Sequence, residues 1–225
     1  RVFPDLTEVE IEALASSSML IGGDYYDVVP VDARRWGFVV ADVSGKGAAA
    51  ALMMAECRAT LRICASGEPS PATVLKRVNR SIHPDMRPGM FISMFYGILD
   101  LDSNVLRFCR AGHEPTLLIR RGATTPELLP GAGLALGLDE GALFDAMLEE
   151  REVVLQPGDL LGLYTDGVTE ACNPVGEEFG RDRLASALLR HEERPLAEVV
   201  RTVDRYVRNF CTLAPRHDDR TLLLV

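Results

Sequence analysis

The chain has 225 residues, 47% of them hydrophobic, which suits one large domain with its own core, and we predict a single domain over 1–225. A net charge of −9 and the lack of a basic cluster argue against a nucleic-acid-binding protein. The five cysteines have no CxxC spacing, which argues against a disulfide framework or a zinc knuckle. The sequence contains no run of eighteen apolar residues, so it predicts no membrane-spanning helix.

These features predict a cytoplasmic protein with no membrane segment in this chain. The abrupt start at Arg1, without a methionine or a signal peptide, predicts a domain excised from a longer chain. We expect the missing part to be an N-terminal regulatory or sensor region.

Hydrophobic periodicity and turn residues predict a series of strands and helices. In chain order these are strands 25–31 and 34–44, helices 47–66 and 70–82, strands 89–101, 105–112, 115–120, 146–155 and 159–167, helices 181–192 and 195–210, and strand 220–225. Ser70 is the predicted N-cap of the second helix, with Pro71 at its first position. Runs of strands separated by paired helices indicate an α+β sandwich of antiparallel sheet with helices packed outside.

Aspartates recur where predicted strands end, beside a glycine, an arginine or another aspartate. They are Asp24 in GGD, Asp42 in VVADV, Asp166 in LLGLYTDG, and Asp218 and Asp219 in RHDDRTLLLV. Each one alone is more often ordinary turn chemistry. If they converge, however, bare carboxylates would repel one another, and two divalent cations would balance them. Oxygen ligands favour Mg²⁺ or Mn²⁺ over zinc, and such a pair can activate water toward phosphorus.

Two nucleotide-binding motifs are excluded. GKGAAA follows a strand and opens a helix, as a dinucleotide fingerprint would, but a second helix follows it where that motif requires a strand. The P-loop pattern GxxxxGK[ST] is absent. The small residues of GKGAAA are better explained by close packing of the helix on the sheet.

The ordered motifs IGGDYYDV, FVVADVSGKGAAAALMMA, MFISMFYGILD, RAGHEPTLL, LALGL, LQPGDLLGLYTDGVTEA and DDRTLLLV resemble the PPM metal-dependent serine/threonine protein phosphatases. More narrowly, they resemble the bacterial SpoIIE/RsbU-type branch of that family. The resemblance covers nearly the whole chain. It implies the PPM fold, an αββα sandwich of two mostly antiparallel β-sheets flanked by helix pairs, with two divalent metal ions, Mn²⁺ or Mg²⁺.

Position by position, the resemblance implies a set of metal ligands. Asp24 matches the first acidic ligand, Asp42 the carboxylate that bridges both metals, the backbone carbonyl of Val43 a further ligand, Asp166 the third carboxylate, and Asp218 or Asp219 the last, with Asp218 favoured. The resemblance also makes His113 of RAGHEP a candidate near the site, although a single histidine in a strand-end loop is more often structural. Eukaryotic relatives carry an arginine that binds the substrate phosphate, and neither Arg34 nor Arg35 is a convincing match.

The resemblance implies a phosphoserine/phosphothreonine protein phosphatase in which water activated by the two metals attacks the phosphate. The implied substrate is a phosphorylated anti-anti-sigma-type regulator in a partner-switching circuit. The alternative is a catalytically silent PPM-fold module used for regulation or binding, and the complete ligand set favours the enzyme. Monomer and homodimer both remain open, as does the choice between Mn²⁺ and Mg²⁺.

Overall fold

The computed structural model describes residues 6, 8–18, 22–212 and 218–225. The chain divides into two compact units, each built from segments that are separated in the sequence. One unit comprises Ile21–Pro115 and Pro130–Leu155, and we call it the α1–α2 unit after its two long helices. The other, the α5–α6 unit, comprises Thr116–Leu129, Gln156–Val225 and the N-terminal residues before Ile21. The prediction of one domain over 1–225 stays a prediction.

The α1–α2 unit contains a five-stranded antiparallel sheet in the order β2-β3-β4-β5-β8. Its strands are β2 (Tyr25–Pro30), β3 (Arg35–Val43), β4 (Ile92–Asp100), β5 (Val105–Ala111) and β8 (Glu150–Val154). Alternate residues of β3 and β4, among them Val39, Ala41 and Met94, form the core beneath the helices. The residues between them, such as Phe38 and Val40, are also fully buried, so both faces of these central strands are apolar.

Two helices cover one face of this sheet. They are α1 (Ala48–Ala65) and α2 (Pro71–Ile82), and a short helix, α3 (Ala142–Met147), lies later in the chain. Ser70 is the N-cap of α2 as predicted, because its Oγ accepts a hydrogen bond of 3.1 Å from the Thr73 N–H. Before α1, Gly45 and Gly47 have φ angles of 95° and 83°, a region that favours glycine. These glycines therefore serve the turn from β3 into α1.

The α5–α6 unit contains a second antiparallel sheet, in the order β1-β10-β9-β6-β7. Its strands are β1 (Glu12–Ser16), β6 (Leu117–Ile119), β7 (Glu127–Leu128), β9 (Leu160–Tyr164) and β10 (Arg220–Leu224), and its helices are α4 (Asp166–Thr169), α5 (Gly180–His191) and α6 (Leu196–Cys211). Apolar residues of α5 and α6, including Leu188 and Val203, pack with Leu222 and Leu224 of β10. This unit therefore repeats the arrangement of a sheet with a helix pair on one face.

The predicted α+β class with two antiparallel sheets and two helix pairs is confirmed. The prediction of a strand over 146–155 was wrong at its start, because Ala146 and Met147 end α3 and the strand begins at Glu150. The strand predicted over 159–167 was wrong at its end, because β9 ends at Tyr164 and α4 begins at Asp166. β1, β7, α3 and α4 were not predicted, since each is short and none has a long apolar period. Within the described part of the chain, no helix combines the length and the apolar character needed to cross a membrane.

Candidate active site

In the α1–α2 unit, the sheet register brings Asp24 and Asp42 to neighbouring strands. Tyr25 pairs with Ala41 across the β2–β3 ladder, so the preceding residue, Asp24, lies opposite Asp42. Ala41 and Val43 point into the core beneath the helices, so Asp42 between them points to the opposite face of the sheet. Both aspartates are half-buried. Two of the predicted ligands thus lie side by side at one end of the sheet.

Gly23 lies close to three oxygen atoms of residues 42–45. A methyl group at Gly23 would lie 3.2 Å from the carbonyl oxygen of Val43, 3.5 Å from Asp42 Oδ1 and 3.8 Å from the carbonyl oxygen of Gly45. A side chain at this position would be crowded by these oxygens. The glycine before Asp24 therefore lets its backbone approach carboxylate and carbonyl oxygens, which are the donor types that Mg²⁺ and Mn²⁺ prefer.

An ion pair between a buried aspartate and a half-exposed arginine, not predicted from the sequence, connects α1 to the strand that follows Asp24. The Asp27 carboxylate accepts hydrogen bonds from Arg62 Nε at 2.7 Å and Nη2 at 2.8 Å, and from the Tyr25 hydroxyl at 2.7 Å. Asp27 is only 4% exposed. The hydrogen bond to Asp27 raises the pKa of the Arg62 guanidinium further above its usual value. The second aspartate of GGDYYD was the only sequence signal for this contact.

In the α5–α6 unit, Asp166 and the Asp218–Asp219 pair lie next to each other. Asp166 is the first residue of α4, directly after β9 and Thr165. A side chain at Gly167 would collide with the backbone carbonyl of Asp219 and would lie 3.4 Å from Asp218 Cβ. Thr165 and Thr221 join the two segments, because their backbones share a hydrogen bond of 3.0 Å and Thr165 Oγ1 accepts from the Thr221 N–H at 3.0 Å. The three aspartates predicted from TDG and DDRT thus lie close together in the fold, at one end of the β9–β10 pair.

Asp218 and Asp219 have different surroundings. Asp219 is 7% exposed, and its Oδ1 accepts hydrogen bonds from the Ser18 N–H at 2.7 Å and the Ser18 hydroxyl at 3.1 Å. Asp218 is exposed, and its Oδ1 accepts from the Asp219 N–H at 2.9 Å. Asp219 therefore anchors the segment that follows β1, whereas Asp218 presents a carboxylate at the surface of its unit.

His113 is buried near Asp42 on the same sheet. Its Nδ1 lies 2.8 Å from the Oγ of Ser93, the residue that pairs with Asp42 across β3 and β4. Arg34 and Arg35, in contrast, form ion pairs with Asp102 and Asp32 in exposed turns. Ser93 was missed by sequence reasoning; the only signal was a single hydroxyl within the apolar run of β4.

The predicted ligands fit a hard divalent cation by their chemistry, since all of them offer oxygen. Asp24, Asp42 and Val43 belong to the α1–α2 unit, and Asp166, Asp218 and Asp219 to the α5–α6 unit. Across the residues that the structure describes, no group of three or more His, Cys, Asp or Glu side chains by itself forms a metal site. The ligand set therefore stays a prediction.

Comparison with known proteins identifies relatives along nearly the whole chain. Phosphoserine phosphatase RsbU of Bacillus subtilis is 29% identical over 222 residues, which cover 99% of this chain and 64% of RsbU. Protein IcfG of Synechocystis is 30% identical over 215 residues, covering 82% of this chain and 33% of IcfG. The chain therefore spans less than two thirds of the length of either relative.

Solved structures have the same fold. The SiaA-PP2C domain of Pseudomonas aeruginosa matches with a TM-score of 0.83 and 25% identity, over 95% of this chain and 83% of that domain. RsbX in complex with magnesium matches with a TM-score of 0.66 and 17% identity, over 95% of this chain and 92% of RsbX. The SiaA domain is described as a PP2C domain, and these matches confirm the predicted PPM-type fold class.

A family model, Stage II sporulation protein E (SpoIIE), matches residues 32–225. This range includes every predicted ligand except Asp24 and contains six of the seven motifs in part or in full. The resemblance predicted from the ordered motifs is confirmed, and the chain belongs to the SpoIIE family.

Proposed function

We propose that the chain is the catalytic domain of a metal-dependent phosphoserine/phosphothreonine protein phosphatase. The observation that carries the proposal is the placement of Asp24 opposite Asp42 at one end of the sheet, with Asp42 Oδ1 and the Val43 carbonyl oxygen both close to Gly23. Membership of the SpoIIE family and the name of the relative RsbU as a phosphoserine phosphatase support it.

In this proposal the cofactors are two divalent cations, Mn²⁺ or Mg²⁺, and the predicted aspartates are their ligands. Asp24, Asp42 and the Val43 carbonyl contribute from the α1–α2 unit, and Asp166 and Asp218 from the α5–α6 unit. When bound, such cations lower the pKa of coordinated water and neutralise charge on a phosphate. The magnesium bound in RsbX supports the choice of a hard cation.

Asp218 is proposed as the ligand in preference to Asp219. The Asp218 carboxylate is exposed and is oriented by the N–H of its neighbour, whereas Asp219 Oδ1 is engaged by Ser18. A carboxylate that anchors two segments in the interior is less available to a metal than one at the surface. Asp219 is then a structural support for Asp218.

The acidic charge of the chain gives the proposed metals a second role, which is to attract a phosphorylated protein. A phosphoserine carries a charge of about −1.5 to −2 at neutral pH, and the chain itself carries −9. With Arg34 and Arg35 engaged in ion pairs away from the predicted ligands, the cations supply the positive charge that attracts the phosphate. By family resemblance, we propose a phosphorylated anti-anti-sigma-type regulator as the substrate.

The test is phosphate release from a phosphoserine protein across a Mn²⁺ titration, with Asp166→Asn, Asp218→Asn and Asp219→Asn alongside. We expect release that requires Mn²⁺ and is abolished by a chelator. Asp166→Asn and Asp218→Asn each remove a charged metal ligand and should cost several kcal/mol of charge stabilisation in the transition state. We therefore expect each to lower turnover roughly 100-fold or more. Asp219→Asn should stay within about threefold, because an amide oxygen still accepts the Ser18 hydrogen bonds.

Full activity in Asp166→Asn would show that the ligand assignment is wrong. Equal losses in Asp218→Asn and Asp219→Asn would remove the distinction between these two residues. A folded protein that binds Mn²⁺ but releases no phosphate from any phosphoprotein tested would favour the alternative of a binding module.

A further inference from the structure

Ser93 and Asp42 lie directly opposite each other on the same face of the sheet. They are paired across the β3–β4 ladder. The neighbours of Ser93, Ile92 and Met94, point into the core beneath the helices, as do the neighbours of Asp42. The two side chains therefore project from the opposite face, where the Cβ atoms of directly opposed residues are about 4.5–5.5 Å apart. At this separation a serine hydroxyl can reach a carboxylate oxygen.

His113, in the loop between β5 and β6, contacts Ser93. Its side chain is only 5% exposed, and its Nδ1 lies 2.8 Å from Ser93 Oγ. A hydroxyl can donate one hydrogen bond and accept two. When His113 Nδ1–H donates to Ser93 Oγ, the hydroxyl hydrogen is directed toward another acceptor, and the Asp42 carboxylate lies on that face.

The backbone that carries His113 is held on both sides. Arg110 Nη1 donates to the carbonyl oxygen of His113 at 2.9 Å, and Arg110 Nε donates to that of Gly131 at 3.0 Å. Gly112 has a φ of 66°, and a side chain there would collide with Ala135. The imidazole is therefore presented to Ser93 from a fixed loop.

We propose that Ser93 and His113 form a positioning pair that orients the Asp42 carboxylate for metal binding. The inference rests on the proposed function, since it assigns Asp42 to the metal site. Hydrogen-bond partners of metal-ligating carboxylates fix the ligand geometry, and their removal typically costs 10–100-fold in metal affinity. A pair that only stabilised the fold would affect unfolding without affecting metal affinity.

The experiment measures Mn²⁺ binding to the 225-residue chain by calorimetry, without substrate. We expect Ser93→Ala and His113→Leu to raise the Mn²⁺ dissociation constant at least about tenfold. Ser93→Thr keeps the hydroxyl, and His113→Asn offers an amide N–H near the position of Nδ1–H, so both should stay within about threefold of the wild type.

The matched control is His191→Leu. His191 is also a buried histidine that hydrogen-bonds a hydroxyl, with Nε2 3.1 Å from the Tyr206 oxygen, but it lies between α5 and α6. The His191→Leu variant should be less stable than the wild type but should bind Mn²⁺ with unchanged affinity. Thermal unfolding of every metal-free variant shows whether it folds, and Ser93→Ala, a small change at a half-buried position, keeps the test decisive if His113→Leu does not fold.

Wild-type affinity in Ser93→Ala would overturn the positioning role and leave the proposed phosphatase function intact. Equal weakening in Ser93→Ala and Ser93→Thr would overturn it as well, because the hydroxyl would then not be the group that matters. If the wild type itself binds no Mn²⁺, the metal site and the positioning pair are both wrong. Weakened binding in the loss variants alone, with rescue by the conservative ones, would support the inference.

Discussion

The two units place their aspartates by different means. In the α1–α2 unit, Asp24 and Asp42 come from a single hairpin, and the register of β2 with β3 sets them side by side. In the α5–α6 unit, Asp166 and Asp218 are separated by two long helices in the sequence, and pairing of β9 with β10 brings them together. One pair depends on local chain geometry and the other on long-range folding.

Glycine also acts differently in the two units. Gly23 lies against oxygens of two predicted ligands, because a methyl group there would be 3.2 Å from the Val43 carbonyl oxygen and 3.5 Å from Asp42 Oδ1. Gly167 lies against the backbone of Asp219, with which a methyl group would collide. The first glycine therefore keeps a side chain away from two predicted ligands, and the second allows two backbone segments to pack.

Substitution of the two glycines tests this difference and should give the largest effect. Gly167→Ala forces apart two backbone segments, so we expect the free energy of unfolding to fall by about 3 kcal/mol or more. Gly23→Ala places a methyl group 3.2 Å from a carbonyl oxygen, so its stability cost should be about 1 kcal/mol, while Mn²⁺ affinity falls. Urea unfolding of the metal-free chains and Mn²⁺ calorimetry measure both quantities. Equal stability losses in the two variants would contradict the comparison.

A second prediction concerns the Arg62–Asp27 ion pair of the α1–α2 unit. Arg62→Met leaves the Asp27 carboxylate with the Tyr25 hydroxyl, the Val28 N–H and the more distant Arg58, but without its bidentate partner. Removing one partner of a fully buried ion pair lowers the free energy of unfolding by about 3–5 kcal/mol. Because the Arg62 side chain is 41% exposed, we expect a decrease of about 2 kcal/mol, measured by urea unfolding.

The matched control is Arg58→Met. Arg58 Nε is 3.7 Å from Asp27 Oδ2 and its side chain is 45% exposed, so its removal should cost less than about 1 kcal/mol. Adding Asp27→Asn to Arg62→Met should restore part of the loss, because no charge then stays buried. A larger effect from Arg58 than from Arg62 would show that the bidentate contact is not what holds α1 to β2.

In both units, the elements and the ligand candidates could be predicted from the sequence better than the contacts around them. Strong periodicity predicted all the longer helices and strands, and glycine–aspartate pairs at strand ends predicted the ligand candidates. The roles of Gly23 and Gly167 could not be predicted, because they depend on which backbone lies opposite. Asp27 and Ser93 were missed for a related reason: a single polar residue in a strand has no periodic signal, and its partner is distant in the sequence.

The smallest expected effect is a pH dependence confined to the α5–α6 unit. Burial lowers the pKa of His191, and the positive charges of Arg194, Arg190 and Arg205 lower it further. The unfolded chain therefore binds more protons between the folded pKa and about 6.5, so the free energy of unfolding falls as pH drops through this range. We expect the wild type to lose more stability between about pH 7.5 and 5.5 than His191→Gln, measured by urea unfolding at each pH.

Arg190→Gln sharpens the prediction about His191, because it removes one of the repelling charges and keeps the imidazole. Its pH dependence should lie between those of the wild type and His191→Gln, since burial, the largest cause of the lowered pKa, is unchanged. Carboxylates that titrate at lower pH contribute equally to all three proteins and cancel in the differences. Parallel loss of stability in the three proteins would show that His191 is as easily protonated in the folded chain as in the unfolded one. Protonation of His191 would then not lower the stability of the α5–α6 unit.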